Sequence, residues 1–260
     1  GSGNLAYRLS IALKKAGHSV EFIYSRDPKE GEKLSYILNK DEIIERSNFN
    51  FTKYSNNLEA LLNSQLIIIA VSDNATGQII ELLNRYKSNN FDNIPAIVHC
   101  SGANSIDILQ NSLTNNIGVI YPLMTLSKTK PVDFKIVPFF LESSSDYLMN
   151  ILQNICFSLG SEYTLIDSNQ RLKLHLAAVY ISNFINYLCS ISFEMAKPNH
   201  ISLLPLAIET IRKAFLYENP KLVQTGPAIR EDFTTIEKHL DILSDNTPEK
   251  EVYQLITKLI

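Results

Sequence analysis

Cysteine is scarce in this sequence, and the three that occur, Cys100, Cys156 and Cys189, are widely spaced. Their odd number and their spacing argue against a disulfide framework and against a tetrahedral zinc site. We therefore expect a reducing compartment, the cytoplasm, and three small hydrophobic side chains in the interior. No other grouping of histidine, cysteine and acidic residues has metal-ligand spacing, so no metal is predicted.

The sequence also lacks an excess of positive charge and a long apolar run. Lysine and arginine total 24 against 27 aspartates and glutamates, which gives a net charge of −3. Such a chain lacks the basic stripe that binds nucleic acid or an anionic membrane, so we expect neither partner. The most apolar short segment, residues 66–71, is far shorter than the roughly 20 residues that span a bilayer.

Repeats, low-complexity tracts and long linkers are missing as well. The 260 residues, of which 45% are hydrophobic, suit one large domain or two modest ones. Either arrangement can bury a substantial core.

The chain opens on a glycine-rich turn of the G-x-G-x-x-A type, Gly1-Ser2-Gly3-Asn4-Leu5-Ala6. In this pattern the first glycine permits a tight turn, and the second lets the backbone approach a pyrophosphate. Ala6 lets the following helix pack closely on a sheet. The free N–H groups at the start of that helix attract negative charge, so the turn predicts a dinucleotide site at residues 1–5.

The residues after the turn fit a dinucleotide-binding fold. The spacing of apolar residues predicts a helix over 4–16, which Gly17 ends, and a strand over 20–24. Such a fold also needs an apolar strand directly before the first glycine, so we expect residues upstream of Gly1 in the natural protein. The alternative is that Gly1-Ser2-Gly3 is a cloning remnant.

The end of the second strand indicates which dinucleotide binds. NAD-dependent enzymes place an acidic residue there to bind the ribose 2′-hydroxyl, whereas this sequence has Ser25-Arg26. A guanidinium can pair with a 2′-phosphate, so NADP is favoured over NAD, although Asp27 follows directly. The alternative is a solvated arginine in a turn. A second turn, Val71-Ser72-Asp73, follows the apolar strand at 66–71 and is expected beside the first turn.

The remaining pattern divides the chain near Asp167. Further strands are predicted near 51–54, 96–99, 118–121, 136–141 and 162–166, which with those at 20–24 and 66–71 and the missing strand make a sheet of about eight. From Asp167 onward the pattern is helical, and a helix reaching Ala196 has apolar residues on more than one face. Such a helix must be buried in the domain or against a second subunit. We predict a Rossmann-like α/β domain over 1–166 and an all-α domain over 167–260.

Seven segments spread over nearly the whole chain resemble a family of predicted NADP-dependent oxidoreductases, which have a Rossmann-like amino domain and a helical carboxyl domain of uncharacterised function. The segments are the opening turn, Tyr24-Ser25-Arg26, Val71-Ser72-Asp73, His99-Cys100-Ser101-Gly102, Tyr121-Pro122-Leu123, His175-Leu176-Ala177-Ala178 with Asn183-Phe184, and Thr225-Gly226-Pro227 with Arg230 and Asp232.

This layout is similar to that of ketopantoate reductase, pyrroline-carboxylate reductase and the beta-hydroxyacid dehydrogenases. The resemblance implies the fold, a helical domain like that of 6-phosphogluconate dehydrogenase, an NADP cofactor and a homodimer formed through the helical domain. One departure is informative. Beta-hydroxyacid dehydrogenases have a lysine four residues before the asparagine of the long helix, where this chain has Val179 before Asn183.

Hydride transfer to a C=O or C=N bond needs a proton donor, and the sequence offers three candidate catalytic residues. His175 leads because imidazole titrates near neutral pH and because Ser182 and Asn186 are expected on its side of the helix. Ser101 follows a strand end, and Asn183 lies farther along the long helix. The alternative for His175 is a polar stripe in a helix interface.

Substrate contacts are predicted at two loops. His99 and Gly102 flank the end of a parallel strand, where ligands bind in this fold. Thr225, Gly226 and Arg230 could hold a substrate carboxylate, whereas Asp232 is expected to cap the following helix. The alternatives are a tight turn at the first loop and a simple chain break at the second.

The sequence thus predicts an NADP-dependent oxidoreductase that acts on a small anionic keto or imino substrate. The missing lysine leaves open a non-catalytic NADP(H)-binding sensor or a dimeric binding module. A structural dimerisation protein with a vestigial pocket is a third reading.

Overall fold

A computed structural model describes residues 1–45, 51–86, 94–216 and 219–260. The chain forms two compact units, Gly1–Ser182 and Asn183–Ile260. The boundary predicted at residues 166 and 167 coincides with the start of a long helix at Ser168, whereas the two units divide inside that helix. The assignment of domains to 1–166 and 167–260 stays a prediction.

The first unit alternates helices and strands in the order expected for a Rossmann-like α/β domain. Its helices are α1 Asn4–Lys15, α2 Pro28–Glu45, α3 Asp73–Asn84, α4 Asp146–Leu159 and α5 Ser168–Val179. Its strands are β1 Phe22–Tyr24, β2 Lys53–Ser55, β3 Leu66–Ile69, β4 Ala96–His99, β5 Ile117–Pro122, β6 Phe139–Ser143 and β7 Tyr163–Leu165. The sixth predicted strand starts later than expected, because Phe134–Ile136 form a 3-10 turn.

The strands form two sheets rather than the predicted single sheet of about eight. β1 pairs in parallel with β2, and the other sheet has the order β3-β4-β5-β6-β7. All pairs in the second sheet are parallel except β5 and β6, in which Pro122 lies opposite Phe139. No α-helix connects these two strands in the described residues, and the chain folds back so that they run antiparallel.

An apolar groove of about 460 Å³ is lined by residues of both sheets. Ile23 of β1 and residues 66–69 of β3 contribute to it, together with Leu9 and Leu13 of α1. In a continuous Rossmann-like sheet one strand joins these two sheets. The groove therefore lies where such a joining strand would lie and has the apolar lining that the strand would need.

Two hydrophobic clusters cover opposite faces of the larger sheet. Along β4 the side chains alternate between them: Ile97 packs in the cluster with α3, whereas Val98 packs in the cluster with α1 and α4. Because both faces of the sheet are covered, successive residues of its strands are apolar. Cys100 and Cys156 are buried, and burial raises the pKa of each thiol to about 12, whereas Cys189 is exposed, contrary to the expectation for all three.

The second unit is helical. It contains α6 Ile185–Met195, α7 Leu204–Leu216, α8 Phe233–Ile242 and α9 Pro248–Leu259. Asp232 and Thr247 cap α8 and α9 through bonds from the amides of Thr235 and Lys250, as the sequence predicts for Asp232.

The helical stretch Ser168–Met195 begins with a capping box between Asp167 and Gln170 and contains a π-turn at Tyr180–Phe184. The π-turn inserts a residue, so the regular register that was expected to place Asn186 beneath His175 does not continue past it. By length and composition alone this stretch could cross a membrane; a single such helix is weak evidence.

No described residue from Leu172 to Ile260 is fully buried within the chain. The prediction that the long helix is buried inside its own domain is therefore wrong for this part of the chain. The other half of that prediction, burial against a second subunit, is compatible with these exposed side chains.

A chain extended before Gly1 by six alternating apolar residues should be more stable than the chain without them. The added strand would pair with the free edges of β1 and β3 and bury apolar side chains in the groove. We expect its melting temperature to rise by at least ~5 °C. A serine and asparagine extension of equal length is the control, and equal shifts for the two extensions would contradict the assignment of the groove.

Candidate functional site

A second groove of about 470 Å³ lies at the carboxyl ends of β1 and β3. It brings together three predicted segments, the opening turn, the end of β1 and the turn after β3. The predicted cofactor residues that line it are Gly1, Ser2, Gly3, Asn4, Leu5, Ser25, Arg26, Val71 and Ser72. Asp73 does not line the groove; it is the first residue of α3.

The opening turn has the shape and the polarity that a diphosphate needs. A Cβ atom on Gly1 would lie 2.1 Å from the carbonyl oxygen of Ala70, so only glycine permits this close packing against the end of β3. A Cβ on Gly3 would meet nothing within 4 Å, which leaves the turn open above α1. The first turn of α1 has no acidic residue and no side-chain cap, so its N–H groups are available to an anion.

The end of β1 is tied to the opening turn and presents a cation. The hydroxyl oxygens of Ser2 and Ser25 are 2.8 Å apart. Arg26 is exposed, and its guanidinium has no hydrogen bond or ion pair within the described ranges. Asp27 is occupied otherwise, because its carboxylate accepts bonds from the amides of Lys29 and Glu30 at the start of α2. The groove thus offers backbone N–H groups and an exposed cation to an anionic ligand.

The loop after β4 is held by its own side chains and by the turn after β3. The hydroxyl of Ser101 accepts bonds from the amides of Ala103 and Asn104, at 3.1 and 2.9 Å. The side-chain amide of Asn104 donates to the carbonyl oxygen of Asp73 at 3.1 Å. The predicted residues Ser101 and Asp73 are therefore brought to one edge of the sheet.

His99 lies beneath this loop and is only 1% exposed. Its Nδ1 accepts a bond from the amide of Ser101, and its Nε2 donates to the carbonyl oxygen of Ser105 at 3.3 Å. Burial, and to a smaller extent the positive charge of Arg171, lower the pKa of His99 to about 4, so the ring is neutral near pH 7. This position suits a support for the loop, and its predicted substrate contact stays a prediction.

A buried arginine that the sequence analysis missed anchors α5 to the same loop. The Arg171 side chain is completely buried and forms an ion pair with Glu142 of β6. It also donates to the carbonyl oxygen of Asn104 at 2.6 Å and to the hydroxyl of Ser168 at 3.0 Å. Arg171 could have been identified from the sequence by its position one helical turn before His175, on the same side of the helix.

His175 contacts Tyr121 and Gly102. The sequence did not predict that these three residues lie together. The Tyr121 hydroxyl oxygen lies 3.0 Å from His175 Nδ1. A Cβ on Gly102 would lie 2.5 Å from the same nitrogen. The candidates His175, Ser101 and Gly102 thus lie at the ends of β4 and β5, together with Tyr121, and none of these four residues lines the groove.

The other predicted site residues belong to the second unit. Gly226 has a φ of +116°, in the region that favours glycine, and Arg230 is exposed. The roles of Asn183, Thr225, Gly226 and Arg230 stay predictions. In the described part of the chain no three histidine, cysteine or acidic side chains come together as a metal site would require.

Comparisons of the sequence and of the structure with known proteins show what this chain is similar to. The model of a domain of unknown function, DUF2520, matches residues 137–260. The putative NADP oxidoreductase BF3122 from Bacteroides fragilis is 33% identical, with a TM-score of 0.85 over 100% of this chain and 95% of that one. A search among curated proteins finds no match.

Two more distant structures share the fold. Protein TM1727 from Thermotoga maritima has 20% identity and a TM-score of 0.73, over 100% of this chain and 95% of that one. Pyrroline carboxylate reductase from Plasmodium falciparum, solved with NADP bound, has 14% identity and a TM-score of 0.53, over 100% and 91%. The predicted Rossmann-like layout followed by a helical region, similar to that of pyrroline-carboxylate reductase, is confirmed.

Replacing Arg171 by methionine should destabilise the first unit, because Glu142 would keep a largely buried charge without its partner. Breaking such a pair costs about 3 kcal/mol, and we expect the melting temperature to fall by roughly 6–10 °C. The matched control is Arg26→Met at an exposed position, which should change it by less than ~1 °C. A Glu142→Gln/Arg171→Met double variant should recover part of the loss, and no recovery would contradict this account.

Proposed function

The chain belongs to the family of Rossmann-like, NADP oxidoreductase-like proteins with a carboxyl-terminal DUF2520 domain, and from this we propose that it is an NADP-dependent oxidoreductase of a small anionic keto or imino substrate. The observation that carries the proposal is the groove at the ends of β1 and β3. It combines an open glycine turn, a helix start without acidic residues and an exposed arginine.

Each part of the cofactor has a matching part of the chain. The backbone of residues 1–5 would hold the diphosphate, and Ser25 and Arg26 would hold the ribose 2′-phosphate. Val71 and Ser72 would complete the far side of the site. When bound, NADPH supplies a hydride to a C=O or C=N carbon.

The chain's own residues would supply the proton and hold the substrate. His175 is the proposed proton donor, with Ser101 as a hydrogen-bond donor to the reacting heteroatom and Asn183 as a further polar contact. Gly102 would let the substrate approach the loop, and His99 would shape it. Thr225, Gly226 and Arg230 would bind an anionic group of the substrate.

A non-catalytic NADP(H)-binding sensor is the second candidate. Val179 favours it, because beta-hydroxyacid dehydrogenases have a lysine at that place and use of the fold does not establish turnover. A screen of 2-keto acids and cyclic imines, followed by NADPH absorbance, separates the two. Turnover that His175→Ala abolishes would support the enzyme, whereas tight NADPH binding without turnover on any substrate class would support the sensor.

We also propose a homodimer formed through the helical domain and a cytoplasmic location. Large apolar side chains are exposed along the long helix and α7, including Leu176, Leu188, Met195, Leu206 and Phe215. The described residues from Leu172 onward include none that is fully buried, and such a surface needs a partner to cover it. The long helix is better suited to pack against a second copy of the chain than to cross a bilayer. It contains two charged residues, Lys173 and Glu194, and the polar residue Asn186, which are costly to bury in lipid.

Arg26→Gln should weaken binding of NADPH by about 10- to 100-fold and leave binding of NADH unchanged, because only NADPH has the 2′-phosphate. Isothermal titration calorimetry with both nucleotides measures the change. Arg85→Gln removes an equally exposed guanidinium away from the groove and is the control. If the unaltered chain binds both nucleotides equally, the assignment of Arg26 is wrong.

Leu188→Glu/Met195→Glu should convert the protein from two copies to one, because the two positions are seven residues apart on one helix face and would bring charge into the interface. Light scattering coupled to gel filtration measures the mass. Ser190→Glu on another face is the control and should keep the mass of two chains. A protein that stays in solution only with detergent would contradict the proposed dimer.

A further inference from the structure

The side chains of Tyr121 and His175 meet where the end of β5 faces α5. We propose that Tyr121 is a positioning residue that holds the His175 imidazole in one orientation and, when the ring is neutral, in the tautomer with its proton on Nε2. This inference rests on the proposed function, in which His175 supplies the proton, and it adds a residue that neither the motifs nor the comparisons assign.

The contact between the two side chains is direct. The Tyr121 hydroxyl oxygen is 3.0 Å from His175 Nδ1, within hydrogen-bond distance. The rings meet edge to face, with centroids 6.0 Å apart and an interplanar angle of 75°. His175 Nε2 has no hydrogen-bond partner in the portion of the chain that the structure describes, so that nitrogen is available to a ligand.

The direction of this hydrogen bond follows from the surroundings of Tyr121. Burial raises the pKa of the phenol, the negative charge of Asp73 raises it further, and the positive charge of Arg171 opposes them. The phenol therefore keeps its proton near neutral pH, and a buried hydroxyl needs an acceptor. Nδ1 of a neutral imidazole is that acceptor, which leaves the ring proton on Nε2.

The loop after β4 also restricts the positions of the Tyr121 and His175 rings. A Cβ on Gly102 would lie 2.5 Å from His175 Nδ1 and 2.8 Å from Tyr121 Cζ, so the two rings can meet only over a glycine. The loop is in turn held by Arg171, which donates to the carbonyl oxygen of Asn104. Because Arg171 lies one turn before His175 on α5, the same helix supports the loop and presents the imidazole.

This arrangement suits proton delivery because the hydroxyl can pair with both forms of the ring. In the protonated ring, Nδ1–H donates to the Tyr121 oxygen and Nε2–H faces the open side. As the substrate carbon gains a hydride, the proton on Nε2 moves to the substrate oxygen or nitrogen and the imidazole is left neutral. Nδ1 keeps its proton and continues to donate to the Tyr121 oxygen, and a proton taken up from solvent at Nε2 restores the protonated ring.

The test is the tautomeric state of His175 in Tyr121→Phe, measured by nitrogen-15 NMR without nucleotide at about pH 8.5, where an ordinary imidazole is neutral. His175→Gln identifies the resonances. We expect one tautomer, with the proton on Nε2, in the unaltered protein and an averaged mixture in Tyr121→Phe. Gly102→Ala, which displaces both rings, should give the same mixture through a different change.

The matched control is Tyr86→Phe, which loses a phenol hydrogen bond to Asn57 elsewhere in the first unit. It should leave the His175 tautomer and the rate of turnover unchanged. With a substrate found in the screen, Tyr121→Phe should lower kcat by about 10- to 100-fold with little change in the NADPH Kd, as loss of a supporting hydrogen bond typically does.

Failure of this inference can be distinguished from failure of the proposed function. An unchanged tautomer in Tyr121→Phe, or an equal loss of kcat in Tyr86→Phe, would overturn the positioning role and leave cofactor binding untouched. Absence of NADPH binding by the unaltered chain would overturn the proposed function and with it the proton-transfer role.

Discussion

The buried guanidinium of Arg171 is the constraint on which the candidate site depends. It joins α5 to Glu142 of β6 and to the backbone of Asn104, so it connects a helix, a strand and a loop at one edge of the sheet. A charge in such a place must be paired, and its partners must therefore stay where they are. The positions of His175 and Gly102 follow from that, because one lies on the same helix and the other in the same loop.

Two neutral groups complete this support. The His99 ring spans the loop after β4 from Ser101 to Ser105, and burial keeps it uncharged near neutral pH. The Tyr121 hydroxyl meets the other histidine, His175, at the open side. Two histidines near one loop thus have different environments: one is enclosed and supports backbone, and the other keeps a ring nitrogen available to a ligand.

The groove at the ends of β1 and β3 and the apolar groove meet at the same turn. Gly1 lines both, and its backbone lies against the end of β3. Apolar contacts therefore position the turn from below, while the open face above Gly3 and the start of α1 offers N–H groups to an anion. The separation of apolar support from polar binding is typical of ligand sites at the edges of α/β sheets.

Local patterns in the sequence were sufficient to predict most of the fold. Alternation of helices and apolar strands predicted the order of the elements in the first unit, and Asp232 was correctly predicted to cap α8. The π-turn at Tyr180–Phe184 was not predicted, because it depends on contacts between elements rather than on local propensity.

The sequence by itself determined the glycine turn, the cation at the end of β1 and the helical character after Asp167, since each rests on residues that are neighbours along the chain. Only the tertiary structure decided which polar residues meet. Arg171 and Glu142 are 29 positions apart, and Tyr121 and His175 are 54 apart. No periodicity in a single sequence specifies such pairs, because the sheet register and the path of α5 bring them together.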